Sequence, residues 1–163
     1  MTKSLQGHLL AAPPHEFDPD FVKTVILLIQ HSQQQAVGVV LNRPTETTVK
    51  EYWKSVLKKP CDFDGPMHCG GPVPGPLMAI HCCEANSEIE VLSGVYYSVT
   101  KKNLDKLVRQ PDLRLKVFDS HAGWGPGQLD QQLDAGAWLS APATAEHVFS
   151  DGEQLWEEVV GQA

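Results

Sequence analysis

The chain has 163 residues, with 13 basic and 20 acidic side chains and a net charge of −7 at pH 7. Its 42% of hydrophobic and 20% of charged residues are ordinary for one globular domain, which excludes disordered, collagen-like and coiled-coil chains. The excess of acid lies late in the chain: residues 117–163 hold eight acids and no Lys or Arg, so we expect this third to repel nucleic acid and anionic membranes.

We expect neither a membrane anchor nor a secretion signal. No apolar run approaches the roughly 20 residues of a transmembrane helix. No apolar core follows the lysine near the N-terminus, as it would in a signal peptide. We therefore expect a cytoplasmic protein without a membrane partner, whose four cysteines stay as free thiols in a reducing compartment.

Four segments have the patterns of paired strands. Residues 24–30 are rich in β-branched side chains, residues 37–41 follow a polar turn, and together they predict a hairpin. A helix through residues 21–33 is the alternative for the first of them. The alternating residues 88–92, a Ser-Gly turn and the apolar residues 95–99 predict a second hairpin.

The clearest helix signal covers residues 48–58. Thr48 and Glu51 have the spacing of a capping box, and Pro60 ends the pattern. One face of this helix is predicted to be apolar and buried, namely Val49, Tyr52, Trp53, Val56 and Leu57. A second face carries the lysine stripe Lys50, Lys54 and Lys58.

Short helices and strands alternate in the rest of the chain. The patterns predict, in order, a helix capped by Thr100, a strand at 113–117, a helix at 127–135, a strand at 137–139 and a last helix opened by Asp151. The inner face of that last helix is predicted to be Leu155, Trp156, Val159 and Val160. Hairpins with tight turns pair antiparallel, so the prediction is an α+β fold with about four short helices rather than a Rossmann-type sheet.

Five motifs occur in the order and spacing of a known family. They are residues 7–13, 17–21, 36–44, 70–73 and 122–129. The most specific are Asn42-Arg43-Pro44 and the Gly-Trp-Gly-Pro-Gly-Gln-Leu sequence that starts at Gly123. Together the motifs resemble the AlgH/YqgE-type family of bacterial proteins over nearly the whole chain. Ser120 and His121 stand where that family has a glycine and an aromatic residue.

This resemblance implies a fold and no established activity. The expected fold consists of bent, coiled, largely antiparallel sheets in a single compact domain over residues 1–163. The family name comes from a proposed role in regulating alginate synthesis, sometimes phrased as transcriptional regulation. We expect a non-catalytic binding or regulatory protein that acts on an unknown protein partner or a small ligand, without a cofactor.

Two loops form the candidate ligand site. The loop that starts at Gly123 precedes a predicted helix, whose first N–H groups can hold a phosphate or carboxylate. However, Pro126 has no N–H, no P-loop lysine follows, and a tight turn with Trp124 anchored in the core is the alternative. If this loop meets the loop at Arg43, we expect a pocket with six candidate binding residues: Asn42, Arg43, Gly123, Trp124, Gly125 and Gln128.

Arg43 has two alternative partners. The residue ends a strand, and Pro44 keeps its backbone extended. Its guanidinium can pair with a carboxylate of Asp18 or Asp20 and lock that turn, or it can hold an anionic ligand in a bidentate contact.

Adjacent His and Cys residues at 68–69 and 81–83 suggest zinc. Structural zinc ligands are usually separated by two to five residues, and neighbours in a strand point to opposite faces, so we expect no metal. Ser120 or a cysteine is a candidate nucleophile, with His121 and Asp119 as its candidate catalytic partners. The Gly-x-Ser-x-Gly nucleophile motif is missing, however, which favours a non-catalytic role.

Basic residues cluster on the predicted helices at 48–58 and 100–109. A DNA-binding domain normally combines a strongly basic pI with a recognition motif. Here the pI is about 5.4, and no helix-turn-helix pattern occurs. We do not expect sequence-specific nucleic-acid binding, although a flat basic face across both helices would favour it.

Overall fold

The computed structural model describes residues 4–150 and 152–162, and its architecture is mixed α+β. The strands are β1 (His8–Ala11), β2 (Val25–His31), β3 (Ala36–Val40), β4 (Pro44–Thr48), β5 (Pro66–His68), β6 (Val73–His81), β7 (Ile89–Leu92), β8 (Val95–Ser98), β9 (Leu115–Trp124) and β10 (Leu139–Pro142). The α-helices are α1 (Val49–Tyr52), α2 (Lys101–Leu107), α3 (Gln128–Asp134), α4 (Ala145–Val148) and α5 (Gly152–Gln162). No described helix combines the length and hydropathy of a membrane-crossing segment.

The strands form one curled sheet. Hydrogen bonds connect them in the order β10-β1-β2-β3-β9-β6-β8-β7, and β4 and β5 pair beside this path. Each pairing is antiparallel except that between β5 and β9. The long strand β9 curls the sheet, because its first half pairs with β5 and β6 whereas its last three residues pair with β3. The predicted fold class is confirmed.

Both predicted hairpins are confirmed, and the helical alternative for residues 21–33 is wrong. In the first hairpin, Ile26 of β2 lies opposite Val40 of β3. Alternate side chains of β2 pack into two different hydrophobic cores, so the strand is buried on both faces. A strand of this kind has a continuous apolar sequence, which periodicity alone cannot separate from a buried helix.

The first helix is shorter than predicted. Its capping box is confirmed, with the Glu51 N–H donating to the Thr48 hydroxyl at 3.0 Å. After Tyr52 the α-helix gives way to a π-helical turn, Trp53–Leu57. The wider π turn rotates Val56 away from the predicted apolar face and leaves it 59% exposed, so that part of the prediction is wrong.

Proline and glycine residues mask the strand pattern of three segments in the sequence. The strands β1, β4, β5 and β6 and the helix α4 were not predicted. Pro74, Gly75 and Pro76 lie inside β6, where the register with β9 shifts between Pro74 and Met78. Proline is tolerated within a sheet at such an irregularity, because no ladder hydrogen bond is lost there.

The C-terminal elements follow the prediction with shifted boundaries. The strand predicted at 113–117 runs on to Trp124 as β9, and the strand predicted at 137–139 lies at β10. The helix at 127–135 is confirmed as α3, with Gly136 at a positive φ of 77° after its end. In α5, Leu155 and Val159 are buried as expected, and the predicted cap, Asp151, lies outside the described residues.

Lys116 is a buried exception to strand alternation. The alternating sequence at 113–117 places it on the surface, yet it is only 4% exposed. Its ammonium donates to the carbonyl oxygens of Leu41 at 2.9 Å and Ser150 at 2.5 Å. The lysine thereby ties β9 to the residue after β3 and to Ser150, two residues beyond the end of α4.

Candidate ligand-binding cleft

The segment Gly70-Gly71-Pro72 packs directly against the backbone of β9. A Cβ atom at Gly70 would lie 2.1 Å from the carbonyl oxygen of Ser120, and one at Gly71 would lie 2.4 Å from the carbonyl carbon of His121. Glycine is therefore required at both positions, because a side chain would overlap the strand. The next residue, Pro72, lines two adjacent cavities.

The smaller cavity, of about 160 Å³, contains Arg43, Asp20 and Cys69. The backbone N–H of Cys69 donates to the carbonyl oxygen of Arg43 at 2.9 Å. This bond continues the pairing of β4 with β5, in which Pro44 lies opposite His68. Side chains of residues opposite each other project from the same face, so the guanidinium and the thiol enter the cavity side by side.

Arg43 is fixed by carbonyl oxygens of the turn that precedes β2. Its guanidinium donates to the carbonyls of Pro19 and Asp20 at 2.8 Å each and to that of Val22 at 3.2 Å. The expectation that Arg43 ties this turn to the hairpin is confirmed. The expected acceptor is wrong, because backbone carbonyls rather than the carboxylates of Asp18 or Asp20 accept the hydrogen bonds.

Asn42 has a structural position beside this site. Its side-chain oxygen accepts from the Val25 N–H at 3.0 Å, and its amide donates to the Lys23 carbonyl at 2.9 Å. Both bonds join the end of β3 to the start of β2. Asn42 thus holds the backbone that presents Arg43, and it does not line either cavity.

The larger cavity, of about 280 Å³, has an aromatic wall. The rings of Trp124 and Trp138 meet edge to face, with centroids 6.3 Å apart and an interplanar angle of 81°. Phe21 contacts the Trp138 ring in the same way at 5.4 Å. Both tryptophans are only 7% exposed, so the wall presents ring edges and faces held by the core.

Gln132 of α3 positions this aromatic wall. Its side-chain oxygen accepts from both indole nitrogens, those of Trp124 and Trp138, at 2.9 Å each. The prediction missed Gln132, although it lies four residues after Gln128 and hence on the same face of the helix. Gln128 itself accepts from the Gly125 N–H at 3.0 Å and closes the turn before α3.

The two predicted loops border neighbouring cavities, which share Pro72 as a lining residue. We call the two cavities together the Arg43–Trp124 cleft, since each contributes one end and Pro72 lies between them. Four of the six candidate binding residues line it, namely Arg43, Gly123, Trp124 and Gln128. Asn42 and Gly125 support the cleft through backbone hydrogen bonds instead.

A chain of polar side chains leads from Cys69 to the surface. Its sulfur lies 3.6 Å from the Ser120 hydroxyl oxygen, and this hydroxyl donates to Asp119 at 3.0 Å. His121 does not join this chain: Nδ1 of His121 has no hydrogen-bond partner among the described residues. Among the described residues, neither Cys69 nor Ser120 forms a hydrogen bond with His121, the imidazole that a nucleophile would need as its base.

The His and Cys pairs do not converge. His81 is fully buried and bonds the Ser98 hydroxyl at 2.7 Å, far along β6 from the cleft. Burial raises the pKa values of the Cys61 and Cys82 thiols. Within residues 4–150 and 152–162, no group of three His, Cys, Asp or Glu side chains is placed to hold a metal ion.

Sequence comparison gives matches that cover almost the whole chain. A family model described as AlgH-like matches residues 9–163. A UPF0301 protein of Myxococcus xanthus is 34% identical over 164 residues, covering 95% of this chain and 88% of that protein. A UPF0301 protein of Chlorobaculum tepidum is 31% identical over 163 residues, covering 94% and 84% of the two chains.

Two solved structures have a similar fold. The AlgH protein from Pseudomonas aeruginosa superposes with a TM-score of 0.78 at 28% identity, over 97% of this chain and 88% of that one. A protein from Corynebacterium diphtheriae superposes with a TM-score of 0.77 at 23% identity, over 96% and 86% of the two chains. The second likeness concerns the fold alone.

Proposed function

This chain belongs to the AlgH-like family, and from that premise we propose that it is a non-catalytic binding protein for a small organic ligand in the Arg43–Trp124 cleft. The ligand carries an oxyanion, a carboxylate or phosphate, and a flat apolar part. One observation supports this proposal: Pro72 lines both cavities, so the cavity of the cation and the cavity of the aromatic wall are neighbours. Binding of the ligand would serve a regulatory role.

Arg43 is suited to receive the oxyanion. Three of the five N–H donors of a guanidinium are used on the carbonyls of Pro19, Asp20 and Val22, which leaves two, on Nε and Nη1, without a partner among the described residues. None of the ion pairs of the described residues includes Arg43. A guanidinium held in place by carbonyls is preorganised for a planar oxyanion.

Asp20 limits the charge that the cleft accepts. Asp20 lines the same cavity as Arg43, so we place its carboxylate near the ligand's oxyanion. A singly charged group can approach Arg43 and avoid Asp20, whereas a polyanion would meet repulsion from it. We therefore exclude nucleic acid from this cleft in the proposal.

The aromatic end is suited to a flat apolar group. Trp124 and Trp138 leave part of their rings exposed to the larger cavity. Because Oε1 of Gln132 is occupied by both indoles, its NH2 group remains to donate to a ligand.

We take the chain to be cytoplasmic, as the four free thiols support.

Isothermal titration calorimetry tests the proposal. The probes are phenylacetate and phenyl phosphate, with acetate, inorganic phosphate and benzyl alcohol as their separate halves. We expect a whole probe to bind more tightly than either half, because the two ends of the cleft act together. The proposal would be contradicted if the fragments bound as tightly as phenylacetate and phenyl phosphate, or if none of these compounds bound.

Two variants assign the binding to the cleft. Arg43→Gln removes the cation, with Arg109→Gln as the matched control, because Arg109 is exposed and pairs with Asp62 elsewhere. Asp20→Asn removes the opposing carboxylate without changing any backbone carbonyl, and it keeps the test valid if Arg43→Gln does not fold. We expect Arg43→Gln to abolish binding and Asp20→Asn to tighten it.

A further inference from the structure

A second, apolar groove lies on another side of the molecule. Its walls are the π-helical turn after α1 and the helix α2, and its floor includes the middle of β6. The groove has a volume of about 270 Å³, and it shares no lining residue with the Arg43–Trp124 cleft. The lining residues are Trp53, Leu57, Pro76, Leu77, Val99, Lys101, Leu104 and Asp105. We call it the Trp53–Leu104 groove.

The two walls are joined by Asp105. This carboxylate accepts from the Trp53 indole nitrogen at 3.1 Å and from the Lys59 ammonium at 2.7 Å. Burial by itself raises the pKa of Asp105, but the hydrogen bonds from Lys59 and Trp53 outweigh it and hold that pKa below its usual range. Asp105 is thus charged and occupied, and the groove keeps its shape without a ligand.

Val56 leaves an apolar side chain exposed on the π turn that forms one wall of this groove. It follows from the π turn, which places Trp53 in the core and Leu57 in the groove but turns Val56 to the surface at 59% exposure. An exposed β-branched side chain beside an apolar groove extends the surface that a partner can cover.

The two elements beside the groove give it a basic rim: Lys101 lines the groove itself, and further exposed lysines lie on the same two walls. Five exposed lysines on the two walls take part in no ion pair among the described residues: Lys54, Lys58, Lys101, Lys102 and Lys106. The charge is local, because the whole chain has a net charge of −7. A field of this sign attracts an acidic partner and repels basic ones.

We propose that the Trp53–Leu104 groove docks an acidic segment of a partner protein, which inserts an apolar side chain between the π turn and α2. The lysines on the rim pair with the acidic residues of that segment, and Val56 packs beside the inserted side chain. This docking surface goes beyond the small-ligand function and does not depend on it.

A protein segment fits the groove better than a nucleic acid does. Trp53 is 1% exposed, so it offers no ring face on which a base can stack. The charged Asp105 lines the groove, so the group inserted there has to be uncharged, as the apolar side chain of a peptide is. An aliphatic floor with a basic rim matches an amphipathic acidic peptide instead.

Peptide titrations of the 15N-labelled full chain test this proposal. The probe is a synthetic peptide of Asp and Glu residues around one central leucine, and a second peptide has serine in place of the leucine. We expect the leucine peptide to shift the indole N–H signal of Trp53 and the amide signals of Leu57 and Leu104. Added salt should weaken binding, and the serine peptide should bind about tenfold more weakly.

Surface variants keep the test independent of folding. Val56→Ser should weaken binding of the leucine peptide about tenfold, whereas Phe17→Ser, at an apolar residue that is 81% exposed elsewhere, should leave it unchanged. The double variant Lys54→Glu with Lys101→Glu should abolish binding, and Lys23→Glu is its control. Phenylacetate binding in the cleft is measured on the same variants and should not change.

Several outcomes would overturn the proposal. One is equal binding of the leucine and serine peptides, which would reduce the contact to charge alone. Another is a mixed-sequence DNA duplex that shifts the same signals at lower concentration than the peptide does. A third is sedimentation as a dimer in which the groove does not respond to peptide, because a second copy would then cover it. The absence of any shift at these residues is the fourth.

Discussion

Trp124 and Trp138 donate to one shared acceptor, the side-chain oxygen of Gln132, which lies 2.9 Å from each indole nitrogen. One residue of α3 thereby fixes the end of β9 and the segment that leads to β10. The rings need no rearrangement to receive a ligand, and such preorganisation lowers the cost of binding.

Loss of this shared acceptor is expected to destabilise the fold. Gln132→Ala leaves two nearly buried indole N–H groups without their acceptor, at a cost of about 2–4 kcal/mol. Gln132→Glu keeps an oxygen in place and should cost less. Urea unfolding measures both, with Gln131→Ala on the exposed side of α3 as the control; equal losses for Gln132→Ala and Gln131→Ala would contradict the shared-acceptor role.

Arg43 is expected to contribute to stability through carbonyls rather than carboxylates. Arg43→Ala removes three charge-assisted hydrogen bonds to Pro19, Asp20 and Val22, for a loss of about 2–4 kcal/mol. Arg43→Lys should restore only part of it, because an ammonium cannot reproduce the guanidinium fork.

A double-mutant cycle with Asp20→Ala separates the two kinds of acceptor. That substitution keeps the Asp20 carbonyl and removes its carboxylate, so the two changes in unfolding free energy should add to within about 0.5 kcal/mol. A coupling energy above about 1 kcal/mol would show that the carboxylate is a partner of Arg43 after all.

His81 is expected to make the protein less stable in mild acid. Its Nδ1 accepts from the Cys83 N–H at 3.0 Å and its Nε2 bonds the Ser98 hydroxyl, so the ring is neutral in the fold. Burial lowers the pKa of His81 from 6.5 to about 4. As the pH falls below 6.5, His81 becomes protonated in the unfolded chain, whereas in the folded chain it stays neutral until about pH 4. Stability therefore falls across this window as the pH falls, by about 3 kcal/mol in all.

Urea titrations between pH 7 and pH 4 measure this effect. His81→Gln keeps an N–H donor for Ser98 and removes the titrating group, so the difference in stability from the wild type should shrink as the pH falls. A difference that stays constant over the window would show that His81 does not carry the pH dependence.

Replacement by alanine is expected to destabilise the protein strongly at one glycine of the family motifs and only slightly at another. Gly70→Ala would push Cβ to 2.1 Å from the Ser120 carbonyl oxygen, so we expect a loss above about 3 kcal/mol or failure to fold. Gly123→Ala meets nothing within 4 Å and should change stability by less than about 1 kcal/mol. Thermal melting of the two variants checks this, and equal effects would contradict the packing of residues 70–72 on β9.

The sequence predicted local elements better than their ends. Capping residues and hairpin turns are local signals, and the α1 cap and both hairpins were found through them. The switch from α-helix to π turn after Tyr52 leaves no such signal, so Val56 was assigned to the wrong face. In the same way, β9 runs through Gly123 because β3 pairs with it, and that pairing is not local.

The candidate cleft was predicted in part. The two loops were named, but their meeting depends on Gly70 and Gly71, whose role is visible only when β9 is beside them. Arg43 was predicted to pair with a carboxylate, because charged side chains can be identified from the sequence. The positions of the backbone carbonyls that accept its hydrogen bonds cannot be identified in this way. The burial of Lys116, whose ammonium donates to two backbone carbonyls, was not predicted for the same reason.

The most direct test of the cleft uses the indole N–H signals of the four tryptophans in 15N-labelled protein. On titration with phenyl phosphate, we expect the signals of Trp124 and Trp138 to shift together, while those of Trp53 and Trp156 stay in place. The shifts should vanish in Arg43→Gln and persist in Arg109→Gln. Equal shifts of all four signals, or shifts that Arg43→Gln leaves intact, would contradict a site that joins Arg43 to the aromatic wall.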